Sequence, residues 1–86
     1  FSAFKEYETK EQVTTNLRII ANAAEQYTLE YGVLKVDDLK VLTDAFRFTV
    51  QPVGDEEYAE LFPIHADASK LEIYVPSIRQ TLEHRF

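Results

Sequence analysis

Cysteine is absent from the 86 residues, which excludes disulfides, thiol catalysis and cysteine-ligated metal sites together. Glycine occurs only twice, so no glycine-rich phosphate-binding loop can be built. No run approaches the roughly 18 to 20 apolar residues that a membrane helix needs, and no signal-peptide pattern is present. Like charges never run further than Asp55-Glu56-Glu57, and 15 acidic side chains outnumber 9 basic ones for a net charge of -6. A surface of that sign repels phosphate backbones. Lys5, Lys10, Arg18, Lys35 and Lys40 are too scattered to form a basic patch, and nucleic acid is not an expected partner. What remains is an ordinary folded composition, 45% hydrophobic and 28% charged, with Phe 6 and Tyr 5 and no low-complexity tract. Residues 1–86 make one domain, near the size at which a single core just suffices, because small domains bury only about 60% of their unfolded surface.

The strongest pattern lies in the first 32 residues. Val13, Leu17, Ile20, Ala24, Tyr27 and Tyr31 follow one another at steps of four, three, four, three and four, which returns them to one side of a helix. The pattern predicts a long helix over residues 1–32. Ala21, Ala23 and Ala24 support it, as does the i,i+4 pair of Glu6 with Lys10, and Gly32 offers a left-handed cap. At about 1.5 Å per residue this helix extends roughly 45 Å, more than a domain of this size is wide, so its first dozen residues are expected to project. At about 100° per residue Phe4 falls opposite the stripe with Phe1 and Tyr7 on either side, while Ile19 lies near the angle of Phe1 and Leu29 near that of Phe4. Large apolar side chains turned away from a core commonly mark interaction surfaces. Phe1, Phe4, Tyr7, Ile19 and Leu29 are therefore the candidate subunit-contact residues.

Beyond Gly32, residues 33–44 read as a connecting loop with a short helical turn capped by Asp37 and anchored by Leu39 and Leu42. Residues 45–86 read as antiparallel strands. Phe46, Phe48 and Val50 alternate with polar residues as one strand. Pro52 to Glu57 form a turn, and residues 58–64 a second strand demoted to an edge by Pro63. After the polar turn at residues 66–69, Leu71, Ile73 and Val75 alternate with Glu72 and Tyr74. Pro76-Ser77 breaks the run, and Ile78, Gln80, Leu82, His84 and Phe86 alternate in turn, so the last two strands form a hairpin. The expected class is α+β, a long amino-terminal helix packed against a three- to four-stranded antiparallel sheet.

Sites for chemistry are sparse. His65 and His84 match no metal spacing and read as ordinary surface and strand histidines. Asp55, Glu56, Glu57 and Glu60 lack the fixed pattern of a calcium loop and read as a solvated acidic turn. Asp37 and Asp38 diverge at a helix start, and Ser2, Ser69 and Ser77 have no activating partner at a recognisable spacing. No catalytic residue, cofactor or metal site is expected.

Phe1-Ser2-Ala3-Phe4-Lys5 resembles the stretch that follows the hydrophobic membrane segment in type IV pilins and type II secretion pseudopilins. Asn16-Leu17-Arg18, Ala23-Ala24-Glu25-Gln26-Tyr27 and Tyr31-Gly32 are similar to the later helix of that family, and Val53-Gly54-Asp55-Glu56-Glu57-Tyr58 to a Gly-Glu-x-Tyr turn of some pilin-like proteins. The resemblance implies a pilin-like fold and a precursor anchored in the inner membrane. It also implies cleavage by a prepilin peptidase and assembly with like subunits into a periplasmic or extracellular filament. The chain opens on Phe rather than Met, and the family's cleavage site and hydrophobic half-helix are expected upstream of it. The family's carboxy-terminal disulfide has no counterpart here, and its calcium site cannot be carried over. The alternative is a small ligand- or protein-binding module whose helix and sheet enclose a site near Tyr58, His65 and His84. Least expected is a small hydrolase or metal enzyme.

Overall fold

A computed structural model describes residues 3–86, so Phe1 lies outside the described residues. The chain is α+β. Helix α1 (Ala3–Tyr31) is followed by β1 (Lys35–Val36), α2 (Leu39–Phe46), a 3-10 turn (Tyr58–Leu61), β2 (Ile64–His65), β3 (Lys70–Val75), a second 3-10 turn (Pro76–Ile78) and β4 (Gln80–Arg85). The domain measures 45 × 24 × 16 Å. Its long axis is close to the length of 29 helical residues at about 1.5 Å each, so α1 sets the shape.

The apolar stripe of α1 is the floor of the core. Val13, Leu17, Ile20 and Ala24 are all at most 2% exposed, and Tyr27 is half-buried. Tyr31 departs from the expected stripe: it is 61% exposed and packs its ring on that of Tyr27, centroids 4.6 Å apart. Gly32 closes the helix at φ +63, the left-handed conformation that glycine adopts without steric cost. The first dozen residues project less than their apolar pattern implies. Glu6 and Thr9 are half-buried and continue the stripe in polar form, three and four residues apart. Glu6 does not pair with Lys10; its Oε1 accepts from Gln80 Nε2 at 2.9 Å, tying the start of α1 to the start of β4.

Two small antiparallel sheets of two strands each cover the stripe, in place of the expected single sheet of three or four strands. β1 pairs with β2, with Lys35 opposite His65 and Val36 opposite Ile64. β3 pairs with β4 as the expected hairpin, from Lys70 opposite Arg85 to Val75 opposite Gln80. Its inner face carries Leu71, Ile73 and Val75, all buried. Lys70, Glu72, Tyr74, Thr81, Glu83 and Arg85 stand on the outer face, where Lys70 and Arg85 pair with Glu72 and Glu83.

The missing strands have local causes. The helical turn at residue 39 continues as α2 through Phe46 and absorbs the first residue of the expected strand. Arg47 then takes the left-handed conformation at φ 55, and residues 47–50 run on without a strand partner. The cap of α2 is Asp38, not Asp37: Asp38 Oδ1 accepts from Val41 N at 3.1 Å, while Asp37 lies 3.6 Å from Lys35 Nζ. In residues 58–64, Tyr58–Leu61 coils into a 3-10 turn that buries Tyr58 and Leu61. The Phe62-Pro63 peptide bond is cis, and only Ile64 and His65 remain to pair.

Gly54 marks the tightest packing between these pieces. A Cβ there would stand 2.5 Å from Ser77 Oγ, 2.6 Å from Val75 Cγ1 and 3.0 Å from Thr9 Cγ2. Its carbonyl accepts from Ser77 N at 3.1 Å, so the turn, the hairpin and α1 meet at this point. Gly54→Ala overpacks the junction and is expected to cost about 1–3 kcal/mol. In a domain of this size each kcal/mol lowers the melting temperature by about 4–8 °C, which a thermal melt followed by circular dichroism reads directly.

Candidate functional site

Two features stand apart from ordinary packing. One is a buried polar network, and the other is the outer face of α1.

The network grows from a polar residue on the apolar stripe. Asn16, one helical turn beyond Val13, is 4% exposed, and its amide needs partners inside the core. Asn16 Nδ2 donates to Tyr58 Oη at 2.9 Å and to the Gln51 carbonyl at 3.3 Å, while its Oδ1 accepts from Gln12 Nε2 at 3.1 Å. The Tyr58 hydroxyl in turn donates to Glu56 Oε2. Glu56 is 1% exposed, and the turn wraps backbone around its carboxylate: Val53 N donates to both oxygens at 3.1 and 3.2 Å, and Gly54 N donates to Oε1 at 2.7 Å. Asp55 allows the wrap by taking φ 64, a conformation that Asp tolerates better than most residues. Among the described residues every buried side-chain nitrogen and oxygen has a partner.

The electrostatics follow from this geometry. Among the described residues Glu56 pairs with no cation, and three neutral donors hold its charge. Burial first, and then the hydrogen bond to Glu56, push the Tyr58 phenol well above its ordinary 10.0; the bond from Asn16 opposes them. The expected solvated acidic turn is thus corrected at Glu56, while Asp55, Glu57 and Glu60 are exposed. With both of its oxygens occupied, Glu56 has no free lone pair aimed at a cation. Among the described residues no three His, Asp or Glu side chains gather as a metal site.

The residues of the alternative binding site do not come together in one cavity. Tyr58 borders a groove of about 490 Å³ with Leu39, Val50 and Pro52, whereas His65 borders a separate cleft of about 90 Å³ with Ala24, Thr28 and Phe86. His84 faces Leu71 across the hairpin and sets its ring edge-on to Phe86, centroids 6.0 Å apart.

On the outer face of α1, Phe4 is 71% exposed, Tyr7 61%, Ile19 38% and Leu29 78%. They form a line rather than a patch: Phe4 and Leu29 are about 37 Å apart along the axis at 1.5 Å per residue. Arg18, Asn22 and Gln26 separate them. The sequence-based set also lacks the exposed apolar residues just past Leu29. Tyr31, Val33 and Leu34 follow it closely in the chain, and all are exposed, Leu34 most of all. Val33 and Leu34 read as loop residues in the sequence, and only their failure to reach the core brings them out.

Comparison with models of protein families, with curated proteins and with solved structures finds no match in any of the three. The class that the architecture defines is an α+β domain in which one long helix packs against two small antiparallel sheets of two strands each.

Removing the hydroxyl in Tyr58→Phe leaves Asn16 short of an acceptor and Glu56 short of a donor, and is expected to cost about 1–3 kcal/mol. The alkaline limb separates this effect from packing. Because the folded-state value of Tyr58 lies above the unfolded one, its contribution is complete below about pH 10 and is lost as pH rises toward the folded-state value. Urea unfolding is therefore expected to show the advantage of wild type over Tyr58→Phe shrinking above about pH 10, at up to about 1.4 kcal/mol per pH unit.

Proposed function

We propose that this chain is a structural subunit of a filament of the type IV pilin and type II secretion pseudopilin class. The observation that carries the reading is the outer face of α1, a 29-residue helix with Phe4, Tyr7, Ile19 and Leu29 exposed on the side away from its own core. A helix that serves its domain with one face and leaves large apolar side chains on the other suits repeated contact with neighbouring copies. The pilin-like stretches Phe1 to Lys5, Asn16 to Arg18 and Ala23 to Tyr27 lie on this helix or directly before it. The stretch Val53-Gly54-Asp55-Glu56-Glu57-Tyr58, which resembles the family's Gly-Glu-x-Tyr turn, is the turn that bonds to α1 through Tyr58 and Asn16.

On this reading the protein is made as an inner-membrane precursor, with an apolar segment upstream of Phe1, and is cleaved by a prepilin peptidase. The assembly machinery of the inner membrane then adds it to like subunits in a periplasmic or extracellular filament. Its work is assembly rather than catalysis. The charged outer face of the β3–β4 hairpin is turned outward, away from the filament axis.

Two measurements test the proposal. The 86-residue chain sediments as a monomer, and the precursor carrying the upstream segment forms filaments visible by electron microscopy. Phe4→Asp in that precursor places a charge in the helix contact and is expected to lower filament yield by about tenfold or more, with the thermal melt of the isolated domain unchanged. Unaltered assembly of Phe4→Asp overturns the assigned face.

A further inference from the structure

Arg18 is the sole basic residue between Lys10 and Lys35. It is exposed on α1 beside Ile19, and its guanidinium enters no ion pair or side-chain hydrogen bond among the described residues. A second surface of the same chain has the opposite character. The groove of about 490 Å³ between α2 and the turn is lined by the apolar side chains of Leu39, Val50 and Pro52 together with the carboxylates of Asp55 and Glu57. Both acids are exposed, and neither is paired with a cation among the described residues. Glu56, between them, is turned inward and held by the buried network, so the turn presents its two outer carboxylates from a fixed base.

We propose that these two surfaces meet between copies of the chain: Arg18 and Ile19 of one copy seat in the groove of the next. The guanidinium lies against Asp55 and Glu57, and Ile19 lies against Leu39, Val50 and Pro52. The inference rests on the filament reading and supplies the surface that receives the helix face. Complementarity selects a second copy as the occupant. Among the described residues the cation and the acids have no ion-pair partner within the chain, and an apolar side chain stands beside the cation just as apolar side chains stand beside the acids. A planar guanidinium can also engage two carboxylates at once, which a lysine does poorly. In a filament the helix face of each copy docks in the groove of the next, so the contact is head-to-tail and extends by adding copies.

The absence of cysteine makes the contact directly testable. In the filament-forming precursor, chains carrying Ile19→Cys are co-expressed with chains carrying Ala59→Cys, next to the groove, and oxidised. The expected result is a disulfide-linked dimer that needs both variants and is not formed by either alone. Charge reversal gives the second readout. Arg18→Glu and Glu57→Arg are each expected to lower filament yield by about tenfold, and the double exchange to restore it to within about threefold of wild type. Both positions are exposed, so thermal melts of the isolated domain are expected to be unchanged. Filaments that assemble from the two cysteine variants without giving this disulfide, or that tolerate both single reversals, overturn this contact and leave the filament reading standing. Cross-linking of either cysteine to a different protein also overturns it. A wild-type precursor that forms no filament overturns both.

Discussion

A carboxylate can be kept at 1% exposure only if the donors it loses in water are replaced, and in this domain that requirement organises everything between α2 and β2. Glu56 takes two backbone N–H groups from the turn that carries it and a hydroxyl from Tyr58. Tyr58 is committed in turn to Asn16 on α1. A stretch without regular secondary structure is thereby given one conformation and one attachment point. Gly54 sits where the attached turn presses between Thr9 and Ser77, so the network positions the turn and the missing side chain lets it close. The same arrangement explains how a chain with only two-stranded sheets holds a single core. The segment that lacks strand partners is fastened by side chains instead.

Much of the fold was legible because it depends on period alone. The helix stripe from Val13 to Tyr27, the glycine that ends α1 and the alternation of β3 and β4 are local patterns, and local patterns survive folding when one face is buried. Residues 46–64 were not legible, because alternation there competed with stronger local chemistry. Asp38 caps a helix long enough to consume Phe46, Arg47 reverses the chain, and Tyr58 turns inward to satisfy a carboxylate that no period can reveal. Tyr31 failed for a different reason. It has the right angle on the helix, yet it stays 61% exposed with its ring against Tyr27.

The candidate contact face divides in the same way. That Phe4, Tyr7, Ile19 and Leu29 point away from the core follows from helical angle and needs no tertiary information. Phe1 lies outside the described residues. Tyr31, Val33 and Leu34 join the exposed set through what the rest of the chain leaves uncovered, which no helix wheel contains. The buried network did have a sequence signal that went unread. Asn16 is a polar residue on the buried stripe, and Gly54, Glu56 and Tyr58 alternate in a turn. A buried amide demands partners, and a glycine, an acid and a phenol two residues apart are well suited to supply them.

The bond between Glu6 and Gln80 links positions 74 residues apart, and β4 lies along the helix that the chain makes first. Closure over such a separation carries a large entropic cost before any contact rewards it. The part of the apolar side of α1 that β4 covers is therefore closed by the carboxy-terminal end of the chain. Its two ends are thus held together by a pair of side chains across almost the whole length of the chain.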